Sequence, residues 1–487
     1  MSGGALRRRE LVAGGLAAAA AGALGEADAA DAKRRHRAPR RKVYDVAVVG
    51  AGLAGLNAAT AVLAAGRSVV VLEARRRVGG RNLDHPLAPD KVAELGGEWT
   101  GPGQDKVLGL ANELGVATFD TYTDGNSVYY SAQGQLQTYS GNVPPTNPAS
   151  LVELEVAIQE FNRMAASVPR DKPWTAPQAE TWDQETIQTW INQNLQTAEA
   201  QNLTQLAIRG VYGEEAEQIS LLDLLQAISG VGGDFNTLIG SAQSQRFVGG
   251  PQQLSEKLAA RLGRAVHFGV AVRAVDQKRT GVALHSDSET FHARRAILTM
   301  PKTLLGRITF DPPLPPPVDQ LLQREPMGSV LKVNAIYPRP FWREQGLNGS
   351  ATSEIGPIRI TSDNSPPDGN PGVLVGFMEG NDSRAFYGAS LGARRQAALA
   401  CFARYFGSRA LTPIGYVDMI WAHEPFTRGA YGSFSPPGVL TSLNDPLVRP
   451  IGRVHYASSD ASAQWPGYMD GAIRSGRAAA SAALAEL

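Results

Sequence analysis

The sequence contains a single cysteine, Cys401, among 487 residues. One thiol excludes an intramolecular disulfide and any zinc or iron–sulfur site built from several cysteines. Net charge is nearly absent too, with 47 Lys/Arg set against 46 Asp/Glu. Ten of those bases and four of those acids fall in residues 1–42, which leaves 37 bases and 42 acids, a net of −5, for residues 43–487. A mildly acidic body argues against a nucleic-acid partner, which would need a basic face. The sequence also lacks a membrane span. The apolar run from Ala13 to Leu24 is short of the roughly 20 residues a bilayer demands, and Ala479 to Leu487 holds no anchor. There is no internal repeat. Composition is otherwise that of a large globular protein, 43% apolar and 19% charged, long enough for two interleaved domains.

The N-terminus reads as a targeting segment. Arg7, Arg8 and Arg9 precede Glu10, Leu11 and Val12, then the Ala/Gly-rich run, then Ala27, Asp28 and Ala29 as a small-residue cleavage site. The Arg8 to Val12 string resembles a twin-arginine signal. We expect residues 1–29 to direct export of a folded, cofactor-loaded protein to a periplasmic or extracellular location, with residues 30–42 as a basic linker. A protein without disulfides suits that route.

Beyond the linker, Tyr44 to Val49 is a valine-rich run suited to a buried parallel strand. Gly50, Gly52 and Gly55 follow in GxGxxG spacing. An Ala-rich helix runs from Leu56 to Ala65, and a second strand from Ser68 to Leu72 closes on Glu73. This strand, turn, helix, strand and acid make a dinucleotide-binding unit. Gly50 permits the tight turn, Gly52 lets the backbone approach a pyrophosphate, and Gly55 lets the helix pack on the strand. The helix N-terminus offers free N–H groups to phosphate. Glu73 can accept hydrogen bonds from ribose hydroxyls. The unit alone does not separate NAD from FAD.

The continuation does. Glu73 to Arg81, reading EARRRVGGR, resembles the extended fingerprint of FAD-containing amine oxidases. Further blocks appear in the order found in the monoamine oxidase family: ELGGEWTGP from Glu94, RFVGG from Arg246, PMGSVLK ending at Lys332, EPFTRGAY ending at Tyr431, and HYASSD with WPGYMDGA through the C-terminal segment. The resemblance covers nearly all of residues 43–487. It implies an α/β fold in which a Rossmann-type FAD/NAD(P)-binding domain (residues 43–130, 243–305 and 420–487) is interleaved with an α+β substrate domain (131–242 and 306–419). Helices are expected over Ser150 to Met164 and Gln184 to Leu195.

The resemblance also assigns residues. FAD contacts fall on Gly50, Gly52, Gly55, Glu73, Ala74, Arg75, Gly80, Arg81, Gly96, Gly97, Glu98, Trp99, Val272, Trp421, Ala430, Asp460, Tyr468 and Met469. Tyr431 and Tyr468 match the family's two-tyrosine cage, with Trp99 and Gln243 as further substrate contacts. Lys332 matches the lysine that holds a water against the flavin. Periodicity alone puts Lys332 on a half-solvated face with Val330, Asn334 and Ile336. The implied reaction is oxidation of a small primary amine by O2, with no metal.

Three departures from the family pattern stand out. Ala430 occupies the position where animal members attach FAD through cysteine, so FAD is expected to be non-covalent. Asp460 replaces the usual glutamate. Gly101 stands where polyamine oxidases carry an acid, with Glu98 nearby as a candidate ligand for a second amine. Two alternatives compete: an L-amino-acid oxidase, for which no arginine lies between Gly97 and Gly134 to take the carboxylate, and a flavin-binding protein without turnover. Oligomeric state stays open, with a homodimer allowed.

Overall fold

Valine-rich β1 (Val43–Val49) and β2 (Val69–Glu73) lie parallel, joined by α1 (Leu53–Ala64). The computed structural model describes residues 42–141 and 143–487, so the twin-arginine signal at 1–29 and the linker up to residue 41 lie outside the described residues. Within β2 every side chain is buried, which explains a continuous apolar run instead of an alternating one. On the other side of β1, β3 (Thr290–Leu298) runs parallel to it and carries Val454–Tyr456 on its edge. Val266–Phe268 pairs with β2, while Gly281–Ser286, Val272–Lys278 and Thr309–Asp311 continue beyond β3 to give eight strands.

A second, seven-stranded sheet is built around β4 (Val330–Tyr337), which lies between β5 (Gly372–Glu379) and β6 (Gly415–Ile420), antiparallel to both. Asn126–Tyr130 and Leu136–Tyr139 form its far edge. Strand Asn126–Tyr130 thus pairs in this sheet although it lies within the segment read as cofactor domain, and Thr309–Asp311 pairs in the first sheet although it lies within the segment read as substrate domain. Chain contacts join Val43–Leu487 into one compact unit.

A helical layer accounts for most of the remainder. Pro148–Ala165 and Ile187–Asn194 match the two helices expected over Ser150 to Met164 and Gln184 to Leu195 to within a few residues. Asn147 and Thr186 cap them by accepting from the N–H groups of Ser150 and Thr189. These helices share a core with Leu221–Gly230 through Phe161, Trp190, Ile191, Leu221 and Ile228, and Tyr468 packs against its edge. The C-terminal α2 (Met469–Ala485) returns to α1, where a Cβ on Gly476 would lie 2.1 Å from the Ala54 carbonyl oxygen. Among the described residues no helix is long and apolar enough to cross a membrane.

Candidate active site

Gly50 has φ +108°, a conformation open to glycine, and Gly52 caps α1 with no side chain in the way. A Cβ on Gly55 would lie 2.0 Å from the Gly50 carbonyl oxygen, so only hydrogen fits where α1 meets the turn. Glu73 accepts from the backbone N–H groups of Ala51 at 2.7 Å and Arg75 at 2.8 Å. The structure thus places this carboxylate as a brace for the turn as well as at the cavity wall, where the sequence suggested ribose contact alone.

The turn opens into a cavity of about 600 Å³. Its wall runs from Gly50, Gly52 and Glu73 past Ala74, Arg75, Gly80, Arg81, Gly96, Gly97 and Val272 to Lys332, Trp421, Ala430, Tyr431, Tyr468 and Met469. Residues spread over the whole chain therefore converge on one continuous space. Glu98, Trp99, Gln243 and Asp460 stand one layer behind, each in contact with a lining residue.

Lys332 is 2% exposed and Glu98 1%, and the ammonium and carboxylate form a direct ion pair. Lys332 Nζ also donates to the Gly96 carbonyl at 2.8 Å and lies 5.3 Å from the Trp99 ring centre and 5.5 Å from that of Phe377. All eight residues of β4 are buried. The half-solvated face suggested by its alternation is in fact covered by the Glu94 to Glu98 segment: Asn334 Nδ2 donates to the Glu94 carbonyl at 3.0 Å. Alternation here separates an apolar face from a polar but buried one. Burial pushes the Glu98 carboxyl up from its ordinary range, against the pull of Lys332. One oxygen of the Glu98 carboxylate is taken up by Lys332, while its Oε1 is buried without a partner.

The tyrosines are each tethered at the hydroxyl. Tyr431 donates to Glu379 Oε1 at 2.8 Å; Tyr468 donates to the Leu238 carbonyl at 3.2 Å and accepts from Gln243 Nε2 at 3.2 Å. Burial, reinforced by the Glu379 carboxylate, holds the Tyr431 phenol well above its ordinary pKa, so it stays a donor. Trp421 Nε1 donates to the Leu95 carbonyl at 2.9 Å. Arg81 links the fingerprint to the C-terminal segment through the Tyr431 carbonyl at 2.6 Å, Ser459 Oγ at 2.8 Å and Asp460 at 3.3 Å. Asp460 is thus held by a guanidinium, while its Oδ2 is buried without a partner. Phe377 and Glu379 were not found from the sequence. Nothing local marks them, and only the register of β4 with β5, which sets Lys332 opposite Phe377 and Val330 opposite Glu379, brings them to the site.

A glycine turn at a helix N-terminus, an unpartnered Asp460 oxygen and an aromatic end to the same cavity fit a flavin dinucleotide. The fold and site define a flavin oxidoreductase. A family model described as flavin containing amine oxidoreductase matches residues 53–484. A Mycobacterium tuberculosis protein that carries the name flavin-containing monoamine oxidase AofH is 39% identical over 445 residues, 91% of this chain and 97% of that one. An L-amino acid dehydrogenase of Synechocystis is 35% identical over 450 residues, 90% of this chain and 94% of that one. Among solved structures, putrescine oxidase bound to putrescine superposes with TM-score 0.88 at 35% identity, covering 91% of this chain and 100% of that one. Cyclohexylamine oxidase from Brevibacterium oxydans gives TM-score 0.87 at 29% identity, with coverage of 91% and 99%. The chain belongs to the flavin-containing amine oxidoreductase family, is an amine oxidase, and takes FAD as its cofactor.

Burial pushes the Glu379 carboxyl up to about 8 from an ordinary 4.5, against the pull of the Tyr431 hydroxyl and Arg209. Between those two values the folded protein binds more protons than the unfolded chain, so stability falls as pH rises through that window. One such group contributes a slope of at most about 1.4 kcal/mol per pH unit. Glu379→Gln, neutral throughout, is expected to gain melting temperature relative to the natural protein as pH climbs from about 5 to 8 and to level off above that. Thermal unfolding at a series of pH values checks this, and a difference that does not vary with pH contradicts it.

Proposed function

We propose that the protein oxidises a small primary amine with O2 and water to aldehyde, ammonia and H2O2, with FAD held non-covalently. The supporting observation is that Tyr431, Tyr468 and Lys332 line the same cavity as the Gly50 to Gly55 turn. FAD, when bound, supplies the acceptor for two electrons from the amine and the donor to O2. The two aromatic rings give a slim amine apolar faces and orient its nitrogen. They attract an ammonium, but the reacting species is the neutral amine, whose lone pair is free. Lys332 presents a buried, ion-paired ammonium to the cavity, where it holds water and offsets negative charge that develops as O2 is reduced. Gly96, Gly97 and Trp421 line the same wall.

Amino-acid oxidation is the competing reading, favoured by the likeness to an L-amino acid dehydrogenase. It needs a cation for the carboxylate beside the tyrosines. Arg81, the guanidinium that contacts the Tyr431 backbone, is engaged by three acceptors. Peroxide release from benzylamine, n-butylamine, putrescine and L-phenylalanine separates the readings. We expect turnover of at least one amine and not of the amino acid, at a rate that rises with pH as the ammonium loses its proton, until another group limits. Failure of all three amines would overturn the assignment.

The mode of FAD binding is tested separately. Ala430 reaches the cavity wall with only a methyl group, and Cys401 is buried in helix Leu391–Phe406 against the core of the second sheet. Acid precipitation should leave a white pellet and a yellow supernatant containing intact FAD. A pellet that stays yellow would show a covalent link through another side chain.

A further inference from the structure

Glu379 ends β5 directly opposite Val330, and Phe377 lies opposite Lys332. Cross-strand partners share a face of the sheet, so the face that presents Val330 and Lys332 to the cavity also carries Phe377 and Glu379. Glu379 is 3% exposed and is not part of the cavity wall itself. What it touches is the cage: its Oε1 accepts the Tyr431 hydroxyl at 2.8 Å.

The surroundings show why this carboxyl differs from its neighbours. Glu214 is held by Arg384 at 2.7 Å, Glu215 by Arg209, and Asp382 by Arg359 at 2.8 Å and Arg209 at 3.3 Å. Among the described residues no guanidinium or ammonium forms a salt bridge with Glu379. Structural acids in this cluster are matched by cations, whereas Glu379 is matched by a phenol of the site. The Tyr431 ring is fixed at one further point, edge-on to Phe377 with ring centres 6.2 Å apart. Tyr468 gains comparable support from Gln243, Leu238 and the Trp465 ring at 5.3 Å. Each tyrosine therefore has its own tether, and a slot between two flat rings keeps its width only if both ring planes are held.

We propose that Glu379 is a positioning residue for amine oxidation: it anchors the Tyr431 hydroxyl and so sets the ring plane that faces Tyr468. The inference rests on the reading of the two tyrosines as the amine site. Burial pushes the Glu379 carboxyl up to about 8. Arg209, Glu215, Asp382 and Tyr431 are the charged and titratable groups around it. Near neutral pH it is therefore largely an uncharged acceptor, a role that a glutamine amide oxygen can fill.

The test uses the FAD-loaded enzyme with Glu379→Gln, Glu379→Leu, Glu379→Asp, Tyr431→Phe and the double variant Tyr431→Phe/Glu379→Leu. The readouts are kcat and KM for benzylamine, n-butylamine and putrescine. A further readout is the Kd of aniline, an amine with no α C–H to oxidise, followed by bound-flavin absorbance. Glu379→Leu should lower kcat/KM and weaken aniline at least about tenfold, as expected when a reacting group is displaced by a fraction of an ångström. Glu379→Asp, which draws the acceptor back by one methylene, should show the same loss and serves if the leucine variant does not fold. Glu379→Gln should stay within about threefold of the natural enzyme, since the acceptor is retained. In the Tyr431→Phe background the leucine change should have almost no further effect, because its route of action is already gone. The proposal is overturned if Glu379→Leu and Glu379→Asp leave kinetics and aniline binding unchanged while Tyr431→Phe impairs them. It is equally overturned if Glu379→Gln is as damaged as Glu379→Leu, or if the Glu379 and Tyr431 effects multiply. Intact kinetics in Tyr431→Phe, which lacks the hydroxyl that Glu379 accepts, would also overturn it; intact kinetics in a further variant, Tyr431→Ala, would instead sink the amine-site reading on which the inference stands.

Discussion

A lysine ammonium cannot sit unpaired inside a protein, because taking the charge out of water costs several kcal/mol. Lys332, on a strand with no exposed residue, meets that constraint through Glu98 and the Gly96 carbonyl. Both partners lie on the turn that follows Lys91–Glu94, a segment distant in sequence and close to the dinucleotide unit. Pairing the charge therefore pulls the Gly96 to Glu98 turn onto β4 and fixes where the second sheet stands relative to the cofactor cavity. A second buried pair reinforces it: Arg246 holds Glu94 at 2.7 Å and the Ser365 carbonyl at 2.8 Å. Two acids and two bases thus form a small buried ionic layer under the site, with the Trp99 and Phe377 rings closing around the ammonium.

The cavity inherits its shape from that layer. Gly96 and Gly97 line it because a Cβ on Gly96 would lie 2.0 Å from the Arg81 carbonyl oxygen, so the two loops approach as closely as backbone permits. Arg81 in turn reaches the Tyr431 carbonyl and the Ser459 hydroxyl, which ties the first flavin-binding segment to the last. Tyr431 and Tyr468, each tethered at its hydroxyl, line the same space. The segments that meet at this cavity are thus far apart in sequence.

That distance explains what could be read without coordinates. The strand, turn and helix from Val43 to Glu73 were legible because every determinant is local: a valine run, three glycines at fixed spacing and an acid. The convergence of Tyr431, Tyr468 and Lys332 on one cavity was legible only through resemblance, since periodicity alone pointed to a half-solvated strand at Lys332. Glu73, Glu98 and Asp460 were legible as important positions, yet their bonding was not. Ala51 and Arg75 take up Glu73, Lys332 takes up Glu98, and Arg81 takes up Asp460, and each pairing depends on sheet register or loop packing. Phe377 and Glu379 left no sequence signal at all, because only antiparallel pairing with β4 gives them a place. Helix ends, set by caps such as Asn147 and Thr186, moved by a few residues.

We propose that the buried Lys332 ammonium serves the oxygen half of the reaction and not the amine half. Stopped-flow spectroscopy on Lys332→Met separates the two directly, by following flavin reduction by amine without O2 and then reoxidation of the reduced enzyme by O2. Reoxidation is expected to slow by at least about 100-fold, the scale of losing a preorganised charge at a reacting centre, with reduction changed far less. Equal slowing of both halves, or reoxidation at the natural rate, would contradict it.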